Sequence, residues 1–266
     1  MASIHPTALI SDDVKLGDNV DIGPYCVLEG NITIGDNATL KSHVSLAGNT
    51  TIGSGLKVYP FASIGNDPQD LKFKGEETKL VIGDNCIIRE GVTVNPGTAA
   101  GSIETRIGNN CVLLANSHVA HDCVLGDNVI LSNGVLIAGH VSIGNHVIMG
   151  GGSAVHQFTR IGDHAFIGGL AGIENDVIPF GISLGNRAYL GGINLIGMKR
   201  HGIARESIHA VRQVYKDLFL EQDETLQVRL DKLSEELLQD PQVASIVTFI
   251  QAASDRSLCV PRTVKE

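Results

Sequence analysis

Three short runs of this chain carry side chains that can move protons. They are Asn116-Ser117-His118-Val119-Ala120-His121-Asp122-Cys123, Ile137-Ala138-Gly139-His140 and Val155-His156-Gln157-Phe158. Imidazole titrates near neutral pH, so a histidine can take a proton from a hydroxyl and return it to a leaving group. Asp122, next in the chain to His121, is placed to orient that ring or to stabilise its charged form. The runs are distant in sequence, so their chemistry depends on what folds between them.

What lies between them is a repeat. An aliphatic residue recurs every six positions from Ile4 through Ile10, Leu16 and Ile22 to Ile64. The register resumes at Ile82, Ile88 and Val94, and again from Ile107 to Ile173. Four places after it the slot is small or β-branched, as at Val20, Cys26, Ala38, Val44, Cys111 and Cys123. A period of six fits neither an amphipathic helix nor an alternating strand. It fits short strands joined by turns and coiled into a parallel β-solenoid, aliphatic residue inward, with Gly-Asp-Asn and Gly-Asn turns that tolerate positive φ.

Composition agrees. Of 266 residues 43% are apolar, enough for a core, and 31 are glycine, while aromatics reach only 4%. The net charge of −9 argues against nucleic-acid binding. Five cysteines without a CxxC pair argue against a disulfide framework, and four of them fall in the small inward slot as core filler. The N-terminus lacks the form of a signal peptide, and no apolar run approaches the ~18 residues of a membrane span. A cytoplasmic protein without a membrane span is expected.

The repeat over residues 4 to about 184 resembles that of the hexapeptide-repeat, left-handed parallel β-helix acyltransferases. The left hand comes from that resemblance; the general rule for parallel crossovers would give the opposite. In such proteins three hexads make one triangular coil, so positions eighteen apart stack. Two interruptions, about 66–81 and about 97–106, then read as insertions of twelve and seven residues. With both removed, the hexads at Ile64, Val94, Val119, Ile137 and Val155 share one face, and both loops leave from it. Asn95, His121, His140 and His156 are expected as a ladder along one edge, with His118 at the preceding corner.

A stacked histidine set admits three readings: solvent-facing turn residues, a zinc site, or general acid–base catalysis. Acid–base catalysis is preferred, because no carboxylate-rich shell for a metal is evident. His43, His146 and His164, in ordinary turn slots, are expected to face solvent.

Past about Pro179 the period fades. Helical spacing covers Gly202 to Leu220 and Thr225 to Leu238, and Asp240-Pro241 starts a third segment, Gln242 to Ala253. The expected organisation is a β-helix over 1–190 and a C-terminal α-helical domain over 191–266.

Finer motifs sharpen the resemblance. His118-Val119-Ala120-His121-Asp122-Cys123, Ala138-Gly139-His140-Val141, Ala154-Val155-His156-Gln157-Phe158, Gln69-Asp70-Leu71-Lys72 and Gly197-Met198-Lys199-Arg200 resemble the UDP-N-acetylglucosamine O-acyltransferase family of lipid A biosynthesis. The resemblance implies a 3-hydroxyacyl chain moving from acyl carrier protein to the 3-OH of UDP-GlcNAc, in a homotrimer with its site between subunits. No metal or cofactor is implied beyond the carrier's phosphopantetheine. It makes His121 the general base, with Asp122 beside it and the Gly139 N–H as oxyanion donor. Gln69, Asp70, Lys72, Asn95, His118, His140, His156, Gln157, Asn194 and Arg200 become substrate-binding, and Gly169 limits acyl length. A basic cluster of Lys199, Arg200, Arg205, Arg212 and Lys216 suits the acidic carrier protein.

The chain departs from the family where a His-Arg pair is common and Asn95-Pro96 stands, and at Ile196 and His201. The Asn95 change raises the alternative of a 3-amino acceptor and N-acylation. Acetyl-CoA-dependent and zinc-dependent hexapeptide enzymes are the rival classes.

Overall fold

The computed structural model describes residues 1–220 and 224–262. Very short strands, most of them two residues long, run from Ser3–Ile4 to Tyr189–Ile193 and build three sheets of eleven, nine and eight strands. Successive strands belong to successive sheets, so the chain winds round a three-sided prism. Face A starts at Ser3–Ile4, face B at Leu9–Ile10 and face C at Lys15–Leu16.

Register confirms the inserted lengths. Ile4 pairs with Ile22 and Val119 with Ile137, eighteen positions on. Ile64 pairs with Val94, thirty on, and Val94 with Val119, twenty-five on. The excess is twelve and seven residues, and both loops leave from face B. Each loop ends earlier than the repeat suggests, because Lys79–Ile82 and Glu104–Ile107 are four-residue strands that pair with each other on face C.

The core is the pair of inward columns. Leu40, Leu46, Val58, Ile64, Ile88 and Val94 are wholly buried, and so are the small-slot residues Cys26, Ala38, Cys86 and Cys111. Burial pushes the Cys123 thiol up to about 12, which leaves it a packing group rather than a nucleophile. The turn slot just before each small residue has positive φ. Asn19, Asn37, Asn85, Asn110 and Asn128 occupy it, but so do His43, Asp122, His140, Phe158, His164 and Phe180.

Bulky residues in that slot find one another because the slots stack. His43 lies between Tyr25 and Phe61, with ring centroids at 4.9 and 5.1 Å. His146 and His164 stack at 4.7 Å, and His164 stacks on Phe180 at 5.3 Å. His43 stays exposed as expected, whereas His146 and His164 are half-buried in their stack. Ring contact along the column offsets the unfavourable left-handed backbone.

The period fades after Pro179, yet strand structure continues. Gly181–Leu184 pairs parallel with Phe166–Ile167, and Tyr189–Ile193 returns antiparallel to close face A. The helices are α1 (Leu195–Arg200), α2 (Arg205–Tyr215) with a π-helical turn over Lys216–Leu220, α3 (Leu226–Asp231), α4 (Glu235–Leu238) and α5 (Pro241–Gln251). Helix α1 had no periodic signal. The segment Thr225 to Leu238 is two helices, because Ser234 accepts from the Leu237 N–H and starts a new one. Residues 221–223 and 263–266 of the expected helical domain lie outside the described residues. Among the described residues no helix is long and apolar enough to cross a membrane.

Candidate active site

The three runs meet at the corner between faces B and C. Strand pairs Val94↔Val119, Val119↔Ile137 and Ile137↔Val155 set their order along face B. The expected single ladder is three parallel columns instead. Asn95 stacks with Ala120, Ala138 and His156; His121 with Gly139 and Gln157; Asp122 with His140 and Phe158. Spacings of sixteen and nineteen differ from eighteen by enough to change column. His118 is also displaced from expectation. It lies within the strand His118–Val119, not at a corner, and its Nδ1 is 2.7 Å from the Thr93 hydroxyl.

His121 is the best-supported base. Its Nδ1 lies 2.8 Å from Oδ2 of Asp122, whose side chain has no solvent exposure. Oδ2 also accepts from the Thr98 hydroxyl at 2.6 Å. Oδ1 accepts the backbone N–H groups of Thr98 and Ser102 at 3.1 and 2.8 Å. Burial alone would push the Asp122 carboxyl up, but the bonds from Thr98, His121 and Ser102 outweigh it and hold the carboxyl below its usual range. An ionised carboxylate only accepts, so His121 Nδ1 carries the proton and Nε2 is left as the free base.

Gly139 completes the centre. A Cβ there would stand 2.6 Å from His121 Cε1 and 2.7 Å from Nε2, so only glycine lets the ring lie against this backbone. The Gly139 N–H meets no acceptor among the described residues. His140 packs edge-on to His121 at 5.0 Å and flat on Phe158 at 4.5 Å. Burial, helped by His121 nearby, lowers the His118 pKa and keeps that ring neutral at pH 7. Gln69, His118, His121, Leu136 and Gly139 line a groove of about 660 Å³ along face B.

His121, Asp122 and His140 bring possible ligand atoms within 4.8 Å of one another. The cluster is nonetheless a poor metal site. Both Asp122 oxygens are taken by donors, and the His121 nitrogen facing them is protonated.

The remaining expected residues fall into distinct places. Asn95 is buried, and its amide nitrogen donates to the carbonyls of Asn66 and Asp67 at 3.2 Å each. Its amide nitrogen therefore ties down the first loop, while its Oδ1 is buried without a partner among the described residues; Asn95 is not among the residues lining the groove and gives no ground for a 3-amino acceptor. Asp70 accepts the Lys72 N–H in that loop, beside fully exposed Leu71; its neighbour Gln69 lines the groove, and Asp70 and Lys72 do not. Asn194 and Arg200 are on face A, in a separate cavity of about 480 Å³ with His146, Phe166, Ile196 and His201. There Asn194 caps α1 through the Gly197 N–H. Within one chain these two residues do not meet His121. Gly169 lies on the bare corner between faces A and B, above Gly151.

One residue near the site had no sequence signal. Asp176, wholly buried, accepts from Arg160 and from the Ser254 hydroxyl, and its backbone bonds Ser257 and Cys259. That pins the C-terminal tail across the prism. Arg256 then donates to the Gln157 carbonyl at 3.0 Å and to His156 Nδ1 at 2.5 Å. A guanidinium only donates, so His156 must present its Nε2–H outward.

The model described as "Udp N-acetylglucosamine O-acyltransferase; Domain 2" matches residues 176–259, and bacterial transferase hexapeptide repeats match 104–139. An acyl-[acyl-carrier-protein]–UDP-N-acetylglucosamine O-acyltransferase of Azorhizobium caulinodans is 51% identical over 98% of this chain and 96% of its own length. The chain belongs to the UDP-N-acetylglucosamine O-acyltransferase family. Its counterpart in Methylobacterium radiotolerans is 62% identical over 78% of this chain and 76% of its own length. Among solved structures, the family member from Moraxella catarrhalis superposes with a TM-score of 0.92 at 42% identity, covering 96% of this chain and 99% of that one. The Acinetobacter baumannii member gives 0.92 at 40%, covering 97% and 99%.

Proposed function

We propose that this enzyme transfers a 3-hydroxyacyl group from acyl carrier protein to the 3-OH of UDP-GlcNAc, the first step of lipid A biosynthesis. The observation that carries it is the His121–Asp122 pair, with Nε2 free over the unbonded Gly139 N–H in an open groove. His121 Nε2 takes the hydroxyl proton as the sugar oxygen attacks the thioester carbonyl. The oxyanion is received by the Gly139 N–H, an effect of order 3 kcal/mol. Collapse expels the phosphopantetheine thiolate, which takes the proton back from His121. The products are the 3-O-acyl sugar nucleotide and the free carrier.

The acyl group arrives already activated as a thioester, so no metal or bound cofactor is required. Asn194 and Arg200 join the groove when face A of one subunit meets face B of another in a homotrimer. Asp70 and Lys72 reach a neighbour from the first loop. The basic cluster from Lys199 to Lys216 receives the acidic carrier, and the reaction takes place in the cytoplasm. The test supplies purified protein with 3-hydroxyacyl carrier proteins of several lengths and UDP-GlcNAc. Transfer is expected, unaffected by chelator, and His121→Ala is expected to lose it while the trimer persists. Equal activity in His121→Ala would overturn the reading.

A further inference from the structure

We infer that Thr98 is a positioning residue for the general base: its hydroxyl fixes the Asp122 oxygen that orients His121. The inference rests on the acyl-transfer reading and extends it to a loop outside the repeat. Among the described residues, every hydrogen bond that Asp122 accepts, apart from that of His121, comes from the loop between Val94 and Ile107; His140 Nε2 stands further off, at 3.9 Å from Oδ2. Thr98 supplies a hydroxyl and a backbone N–H, at 2.6 and 3.1 Å. Ser102 supplies a backbone N–H at 2.8 Å and a hydroxyl at 3.1 Å.

The two hydroxyls are not equivalent. Ser102 Oγ is also 2.8 Å from the Glu104 carbonyl, and its single proton serves one acceptor at a time. Thr98 Oγ1 donates to Oδ2, the oxygen that takes the His121 Nδ1 proton. Two donors thus converge on one oxygen and define where the imidazole must point.

The loop is shaped for this task. Gly101 passes so close that a Cβ would stand 2.3 Å from the Asp122 carboxyl carbon. Ile103, a β-branched residue, is held at φ 66, a conformation it seldom adopts without compensation elsewhere. The ends are tied down, with Gly97 N–H to Lys79 O at 3.1 Å and Lys79 N–H to Ile103 O at 2.8 Å.

The groups facing His121 are Asp122, His118 and His140. Removing the Thr98 hydroxyl leaves Oδ2 free to turn away from the ring. The imidazole should then lose its fixed orientation.

The experiment compares Thr98→Val, Thr98→Ala and Thr98→Ser with the wild type, in steady-state kinetics and by NMR of labelled histidine in the free protein. Valine and alanine are expected to lower kcat about ten- to a hundredfold, with KM held, as a misaimed base does. The His121 Nδ1 proton signal, held by the Asp122 bond, should shift and broaden as that bond loosens. Serine should restore both, and Ser102→Ala should be milder. Alanine decides the matter should valine not fold. An unmoved His121 Nδ1 proton signal, or a kcat loss that serine does not restore, would assign Thr98 to packing and overturn the inference. The NMR arm needs no substrate, so it stands even if the wild type transfers no acyl group, an outcome that counts against the proposed function.

Discussion

The His121 imidazole lies against Gly139 so closely that a Cβ on the glycine would stand within 2.6 Å of the ring. The contact joins two adjacent coils and sets Nε2 beside the backbone that would receive the oxyanion. A methyl group there must push the ring away, since the other side of the imidazole is held by Asp122. Gly139→Ala is therefore expected to lower kcat/KM by about a hundredfold or more through misplacement alone. Circular dichroism and the unfolding midpoint should change little, because the added methyl points toward the groove. Full activity in this variant would show that the ring need not lie there.

Much of this centre was legible because a six-residue period is a ruler. It gave the inward columns, both insertion lengths and the face shared by Val94, Val119, Ile137 and Val155. His121 and Asp122 are neighbours in sequence, so their pairing needed no long-range information. Other features had no ruler. The column of a residue changes with a shift of one position, so Asn95 and His121 could not be separated by counting coils to the nearest one. Thr98 and Ser102 act through the shape of a non-repeating loop. Arg256 arrives by way of a tail pinned at Asp176. Helix α1 is too short to show a period at all.

The histidine stack at the corner between faces C and A predicts how stability varies with pH. Burial first, then His146 and His201, lowers the pKa of His164 to about 4, and its Nδ1 is buried without a partner. The unfolded chain binds this proton near the ordinary value of about 6.5. Between those values the unfolded state holds more protons, so stability falls as pH drops from about 6.5 toward 4 and is unaffected above. His164→Phe removes the titration and the orphan nitrogen. Phenylalanine already occupies equivalent turn slots at Phe158 and Phe180, with φ of 64 and 63. The variant's unfolding midpoint should decline less steeply over that range than that of the wild type. Parallel declines would place the pH sensitivity elsewhere.

Arg256 is expected to act on binding rather than on chemistry. Its guanidinium bridges His156 and the Gln157 carbonyl, two adjacent acceptors that suit a planar fork. Arg256→Ala frees the His156 ring and the Gln157 carbonyl and should raise the KM of a substrate by about five- to tenfold, the worth of roughly one oriented hydrogen bond. The change in kcat should be smaller. Arg256→Lys should not restore the wild-type value, because an ammonium cannot reproduce the fork. Unaltered KM values for donor and acceptor in Arg256→Ala would confine the residue to fastening the tail.

Acyl length offers the last test. Gly169 stands exposed on the corner between faces A and B, above the exposed Gly151 of the preceding coil. A Cβ at Gly169 would meet only the Gly151 carbonyl, at 3.4 Å, an ordinary contact. The position therefore has room for a side chain without disturbing the coil, and the backbone there is not left-handed. A longer residue projecting from it would occupy space along the corner that an extended chain could otherwise use. Gly169→Met is expected to fold normally and to shift preference toward shorter 3-hydroxyacyl carrier proteins. Each buried CH2 that no longer fits is worth about 0.8 kcal/mol, or roughly fourfold in kcat/KM, so blocking several should invert the ranking of long and short donors. Competition between donors of two lengths, read by mass spectrometry of the product, measures the ratio. An unchanged ratio in a folded Gly169→Met enzyme would remove this corner from the acyl path.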